Sequence, residues 1–206
     1  TALATETGWA DGEGATYTFT GSQTLVGNSA NAFSYTLNSN TDANNYTISK
    51  SEGTLTVSNR DAKYQVNVRA NSLTATYDGT VKSVSGFEKE TADGIPVTAD
   101  GRTYYVTGLT SEASGTKVAD SKATITVEGT AVVKDTAGND VTAQFNVTAT
   151  PGNLTINKRD VTLTSATLSK VYDGTALTNG TTALATETGW ADGEGATYTF
   201  TGSQTL

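Results

Sequence analysis

Apolar and polar residues alternate through much of the chain, and no stretch carries a helical period. In residues 15–20, Tyr17 and Phe19 fall on one face, with Thr16, Thr18 and Thr20 on the other. Residues 32–37 repeat this with Phe33, Tyr35 and Leu37. The same period picks out Tyr46/Ile48, Leu55/Val57, Tyr64/Val66/Val68, Tyr105 within 103–107 and Ile125/Val127. It continues with Val132 within 130–134, Phe145/Val147, Leu154/Ile156 and Val161/Leu163. One buried face and one wet face is the antiparallel pattern, and the abundant Thr and Val favour a pleated backbone. Turn signals punctuate the runs at Asp11-Gly12, Gly27-Asn28, Asp78-Gly79, Asp93-Gly94, Asp100-Gly101, Gly138-Asn139 and Asp173-Gly174. Many short strands at this spacing predict an all-β chain of antiparallel, Ig-like β-sandwich modules in tandem. The alternative is a β-grasp-like sheet, which the lack of a good helix disfavours.

Self-comparison gives the organisation. Residues 1–25 recur without a change at 182–206, an offset of 181. Such identity is expected of a long array with a unit of that length. A weaker repeat lies inside the unit: SEGTLTVSNRD at 51–61 matches PGNLTINKRD at 151–160, and TYDGT at 76–80 matches VYDGT at 171–175. The expected modules are a complete one at 60–157 and a split one, whose C-terminal part is 1–59 and whose N-terminal part is 158–206. Head-to-tail complementation follows as an expectation: 158–206 of one molecule pairs with 1–59 of the next, and the two identical segments compete for one slot. Arg60-Asp61 and Arg159-Asp160 sit at the junctions without a Pro/Gly-rich linker, so neighbouring repeats of the chain are expected to touch and stiffen one another.

Composition narrows the chemistry. The 206 residues include no His, Cys or Met, which removes the commonest catalytic bases, thiol nucleophiles, transition-metal ligands and disulfides. The lack of Met even at position 1 is expected of an internal piece of a longer polypeptide. The net charge of −8 carries no compensating basic cluster, so no nucleic-acid partner is expected. No apolar run reaches membrane length, so membrane insertion of this piece is not expected either.

Residues 168–180, LSKVYDGTALTNG, together with the run from DGEGATYTFTG at 11–21 to GTLTV at 53–57, resemble the YDG/MBG-type repeat domains of bacterial surface proteins. LTATYDGTVKSVSGF at 73–87, with 131–156, is similar to a sister type from the same arrays. The resemblance covers essentially the whole chain. It implies large, cell-wall-attached, adhesin-like proteins, mainly of Gram-positive bacteria, in which such modules act as spacers. It transfers no catalytic residue.

Each candidate site has a structural and a functional reading. Tyr77, Asp78, Gly79 and Thr80, with Tyr172, Asp173, Gly174 and Thr175, read as structural turns rather than ligand loops, because Asp caps backbone N–H groups and Gly supplies positive φ. Asp11, Glu13, Asp42, Asp135, Asn139 and Asp140 lie in acidic turns that could hold Ca²⁺, but no calcium-loop spacing is present and the turn reading is preferred. The pairs Asp11/Glu13 and Glu88/Glu90 raise glycoside hydrolysis, yet they read better as solvated charge. Trp9 and Trp190, one position in two repeats, could stack on sugars, but the reading as loop anchors on the core is preferred. Lys63, Lys158, Asn59 and Asn157 lie near strands, where a Lys–Asn cross-link would need a buried acid. The sequons at Asn45, Asn146 and Asn153 read as accidents of a Thr- and Asn-rich composition. The expected role is therefore that of an extracellular, non-enzymatic stalk spacer needing no cofactor. The alternative is an adhesive module for a host glycan or protein.

Overall fold

A computed structural model describes residues 3–180 and 184–204, which are all-β, with eighteen strands and three single-turn 3-10 segments among them. The chain divides into two units, Thr1–Lys63 and Tyr64–Leu206. Residues 158–206 thus share a unit with 64–157.

The first unit holds β1 (Ala15–Phe19), β2 (Gly27–Asn31), β3 (Phe33–Leu37) and β4 (Gly53–Val57). β1 runs antiparallel to β3 with Tyr17 opposite Tyr35, and β2 antiparallel to β4 with Ser29 opposite Leu55. Phe33 collects the rings of Tyr17 and Phe19 at centroid distances of 6.2 and 5.9 Å. Among the described residues of this unit no apolar side chain is fully buried.

The second unit is built differently. It opens with β5 (Tyr64–Arg69), β6 (Leu73–Thr76), β7 (Lys82–Ser85), β8 (Ile95–Ala99), β9 (Arg102–Thr110) and β10 (Glu112–Gly115). It continues through β11 (Lys122–Ile125), β12 (Glu128–Asp135), β13 (Phe145–Thr150) and β14 (Gly152–Asn157). The β8–β9 loop is two residues, Asp100 and Gly101, with φ of 50° and 71°, and paired positive values match the right-handed twist of the flanking strands. β9 also pairs with β12, and β7 pairs with β10.

β5 pairs with β13, and β6 with β14, in parallel rather than in the expected antiparallel sense. Alternation of side chains is identical in the two kinds of ladder, so strand direction was not encoded in the pattern. Because β5 leads into β6 and β13 into β14, the four strands form one two-stranded ribbon, bent at Gly152. A Cβ on Gly152 would lie 1.9 Å from the Asn71 carbonyl oxygen, so only glycine permits this approach. Before the bend the ribbon packs Val66, Val68 and Phe145 with Phe87, Val97, Val106 and Val133. Beyond it, Leu154 and Ile156 pack with Ile125, Leu73, Tyr77 and Val84. Leu154 and Ile156 are 0 % and 2 % exposed, and each such side chain contributes roughly 1.5–3 kcal/mol by leaving water.

The unit ends with β15 (Thr162–Thr164), β16 (Leu177–Thr178), β17 (Thr186–Thr188) and β18 (Ser203–Gln204), paired antiparallel as β15 with β17 and β16 with β18. In 158–204 only Ala191, among the described residues, is a buried apolar side chain.

Besides strand direction, three further sequence expectations are corrected. In β9 and β12 the inward residues are Tyr104, Val106 and Val133, one position from the Tyr105 and Val132 faces expected, because Tyr104-Tyr105 and Val132-Val133 offer two phases of alternation. Gly27-Asn28 opens β2 instead of forming a turn, since its backbone pairs with β4. Residues 46–48 form no strand, although β13, which aligns with them, does.

Candidate functional site

The two Tyr-Asp-Gly-Thr turns share one geometry. Asp78 Oδ1 accepts the Thr80 N–H at 2.9 Å and its hydroxyl at 2.6 Å, while Gly79 takes φ 81°. Asp173 Oδ1 accepts the Thr175 N–H at 2.9 Å and hydroxyl at 2.7 Å, with Gly174 at φ 75°. A lysine faces each carboxylate: Lys82 Nζ lies 2.5 Å from Asp78 and Lys170 Nζ 2.8 Å from Asp173. These bonds, led by the lysine, hold both carboxyls below the ordinary Asp range. The aspartates are thereby occupied as turn clamps. Tyr77 packs against Leu154 and Ile156, whereas Tyr172 is 74 % exposed.

Trp9 and Trp190 are fixed by the same local lock. Trp9 Nε1 donates to Glu6 at 2.7 Å, and the Tyr17 hydroxyl donates to the same carboxylate oxygen. Trp190 and Tyr198 repeat this on Glu187 at 2.8 and 2.5 Å. Sequence reasoning singled out the tryptophans but missed the glutamates, although Glu-x-x-Trp followed by Tyr recurs in both copies. Around Trp9 the first unit opens a cleft of about 670 Å³ lined by residues that include Trp9, Phe33, Tyr35 and 46–53. Trp9 stands edge-on to Tyr46 at 4.9 Å, and the Tyr46 hydroxyl donates to Glu13. Lys50 Nζ lies 4.9 Å from the Phe33 ring centroid and 2.7 Å from Glu52, whose carboxyl it holds below its ordinary range.

The remaining acids are engaged elsewhere. Asp135 accepts the N–H groups of Ala137 and Asn139 and the Asn139 side-chain amide, each at 2.9 Å. Asp140 accepts the Thr142 N–H at 2.9 Å, and Asp42 the Asn44 N–H at 3.0 Å. Asp11 lies in the turn that precedes Glu13. Asp135, Asn139 and Asp140 thus close a β-turn, and among the described residues no three acidic groups gather around a metal-sized space. Glu90 accepts the Phe87 N–H at 2.9 Å and Glu88 faces Arg69 at 3.8 Å, so neither acid of that pair opposes the other. Lys63, Lys158, Asn59 and Asn157 are all solvent-exposed, outside the buried setting that a Lys–Asn cross-link requires. No helix of the described residues is long and apolar enough to cross a membrane.

Identical sequence meets different partners in its two copies. Residues 15–19 form β1 against β3, but the same residues at 196–200 form no strand. Conversely, residues 186–188 form β17 against β15, and their copies at 5–7 form none. Glu13 receives the Tyr46 hydroxyl, whereas its copy Glu194 receives the Tyr77 hydroxyl, near buried Ala191, whose Cβ would lie 3.7 Å from a Cβ placed on Gly79. What the arrangement can do chemically is pair strands and bury aromatic faces. Compared with known proteins, the chain matches no family model, no curated protein and no solved structure.

Proposed function

We propose that the chain is a spacer repeat of a bacterial surface adhesin stalk of the YDG/MBG type, cell-wall-attached and extracellular, with no catalytic role. The observation that carries this reading is the unchanged 25-residue repeat at an offset of 181, in which each copy supplies a different strand to its neighbours. A part that recurs by sequence and acts by strand pairing suits a mechanical role, whereas an active site is needed once. The −8 charge keeps parallel stalks apart within a screening distance of about 8 Å at physiological salt. For the modules we propose Ig-like sandwiches over β-grasp sheets. A β-grasp sheet needs a covering helix, and the helical segments among the described residues are three-residue turns.

Solution scattering on polypeptides of one, two and three 181-residue units tests this directly. A spacer gains a constant length per unit, and a maximum dimension that stays flat as units are added contradicts it.

A second reading has its own support. The aromatic cleft around Trp9 has the size and lining of a small-ligand site, which favours a module that itself binds a host glycan or protein. Micromolar binding on a glycan array, abolished by Trp9→Ala, would replace the spacer reading.

A further inference from the structure

We infer that β4 and residues 46–51 form the acceptor edge for residues 161–171 of a second copy of this chain, added in parallel as β6 and β5 are added to β14 and β13. The inference rests on ladders and repeat spacing, and stands whatever the stalk presents.

The starting point is an alignment that the strand pairing makes visible. Residues 46–61 align with 145–160 without a gap, and residues 66–80 align with 161–175 without a gap. Phe145, Gly152, Leu154 and Ile156 therefore correspond to Tyr46, Gly53, Leu55 and Val57. Val66, Val68, Leu73 and Tyr77 correspond to Val161, Leu163, Leu168 and Tyr172. In residues 64–157 these two sets are the two strands of the bent ribbon. In the rest of the chain the same two sets occur in reverse order, one in each compact unit.

The ladders are half complete in a matching way. β14 is a central strand, with β11 antiparallel on one edge and β6 parallel on the other. β4 has the antiparallel neighbour, β2, as its ladder among the described residues, and its second edge corresponds to the one β6 occupies. Residues 168–171, the counterparts of β6, form no strand.

Burial tells the same story. Val68 and Leu154 are 2 % and 0 % exposed, while Leu163, Leu168 and Val171 are 46 %, 44 % and 89 % exposed, and Leu55 is half-buried. Leu73 packs on Leu154 and Ile156; Leu168 has the same place in sequence with no such cover. Moreover, Gly152 is explained by the partner chain segment, since its Cβ would strike Asn71. Gly53 occupies the equivalent position, yet its Cβ would find nothing nearer than Asn31 Cβ at 3.9 Å. Parallel addition of 161–171 brings the carbonyl of Ala166, the counterpart of Asn71, to that space.

The register follows from the intact ribbon: Ile48 opposite Val161, Lys50 opposite Leu163, Leu55 opposite Leu168, Thr56 opposite Ser169 and Ser58 opposite Val171. The strand enters along 46–53, one wall of the aromatic cleft. One departure from the intact ribbon is Lys170 in place of Ala75, and its ammonium is already drawn out over the turn by Asp173 and Thr175 at 2.8 and 2.6 Å. In the assembled module 186–188 of the donor holds β15, while 15–19 of the acceptor holds β3. Acceptor and donor surfaces differ, so the contact is heterologous and copies add in line or close a ring.

Sedimentation velocity on the whole chain, over a hundredfold concentration range, should show a weight-average mass that rises with concentration. Gly53→Ala should leave the thermal unfolding profile of the chain unchanged and weaken association at least tenfold, because its Cβ meets the incoming backbone. The chain has no cysteine, so register can be read by mixing two single-cysteine variants under oxidation. Thr56→Cys with Ser169→Cys should form a disulfide-linked heterodimer in at least tenfold better yield than Thr56→Cys with Thr164→Cys. A monomer at all concentrations overturns the inference. So does association that Gly53→Ala leaves intact, or equal cross-linking of the aligned and offset pairs.

Discussion

Gly152→Ala and Gly53→Ala put one added methyl at two equivalent places whose surroundings differ. At 152 the new carbon would lie 1.9 Å from the Asn71 oxygen, 2.9 Å from its carbonyl carbon and 3.3 Å from the Ala70 oxygen. Relief requires β14 and the 70–72 segment to part by more than ~1 Å, since carbon–oxygen contacts below about 3 Å are repulsive. Parting at the bend strains the Ala70 N–H bond to the Thr150 carbonyl, 2.9 Å in the native ribbon. Overpacking of this kind costs about 1–3 kcal/mol, and a weakened backbone hydrogen bond about 0.5–1.5 kcal/mol more. Together these give about 3 kcal/mol, or a fall of roughly 10 °C in the melting temperature of a unit this size. Gly53→Ala meets nothing closer than 3.9 Å and should cost the first unit less than about 0.5 kcal/mol. Differential scanning calorimetry of the dilute chain and both variants measures this. A Gly152→Ala transition within 2 °C of the parent, or equal shifts for the two variants, would refute the reasoning.

Other outcomes follow from the same contacts. Leu154→Ala should cost about 3 kcal/mol through cavity formation, while Leu55→Ala, at the aligned but half-buried position, should cost less than half of that in urea titrations. Gly101→Ala, at φ 71° in the β8–β9 loop, should cost about 1 kcal/mol, read in the same titrations. Asp78 (chiefly by Lys82), Asp120 (by the Lys117 N–H), Asp135 (by the Asn139 side chain), Asp140 (by Thr142) and Asp173 (by Lys170) all titrate below the ordinary carboxylate value. The unfolded chain therefore binds more protons in acid, so stability is complete above the ordinary Asp pKa of about 4 and falls as pH drops through and below it. Thermal melts from pH 7 to 2 should show that fall, and a flat profile below pH 4 would count against these clamps.

Legibility in the sequence tracked locality. The Tyr-Asp-Gly-Thr turns were readable because Asp78 and Asp173 bond within their own loops. Most strands were readable because alternation marks a half-buried face wherever the partner lies. Strand direction was not, because the β5–β13 and β6–β14 ladders join residues about eighty apart and leave the alternation unchanged. The phase of β9 and β12 was lost where Tyr104-Tyr105 and Val132-Val133 fit either face. The repeated segment makes the point most simply: the same residues are a strand at 15–19 and none at 196–200. Propensity is equal there, so the available neighbour decides. The cleft beside Trp9 was invisible for the same reason, since 46–53 and Phe33 meet only through folding.

The central claim is that residues 161–175 and 46–61 are the two sides of one β-module, as 66–80 and 145–160 are of another. A polypeptide of residues 158–181 followed directly by 1–59 places those sides in the order used by the complete module. It should unfold in one cooperative transition, with amide contacts linking Leu168 to Leu55 across a parallel ladder. A chain without a cooperative transition, or one whose 168–171 segment pairs elsewhere, would contradict the claim.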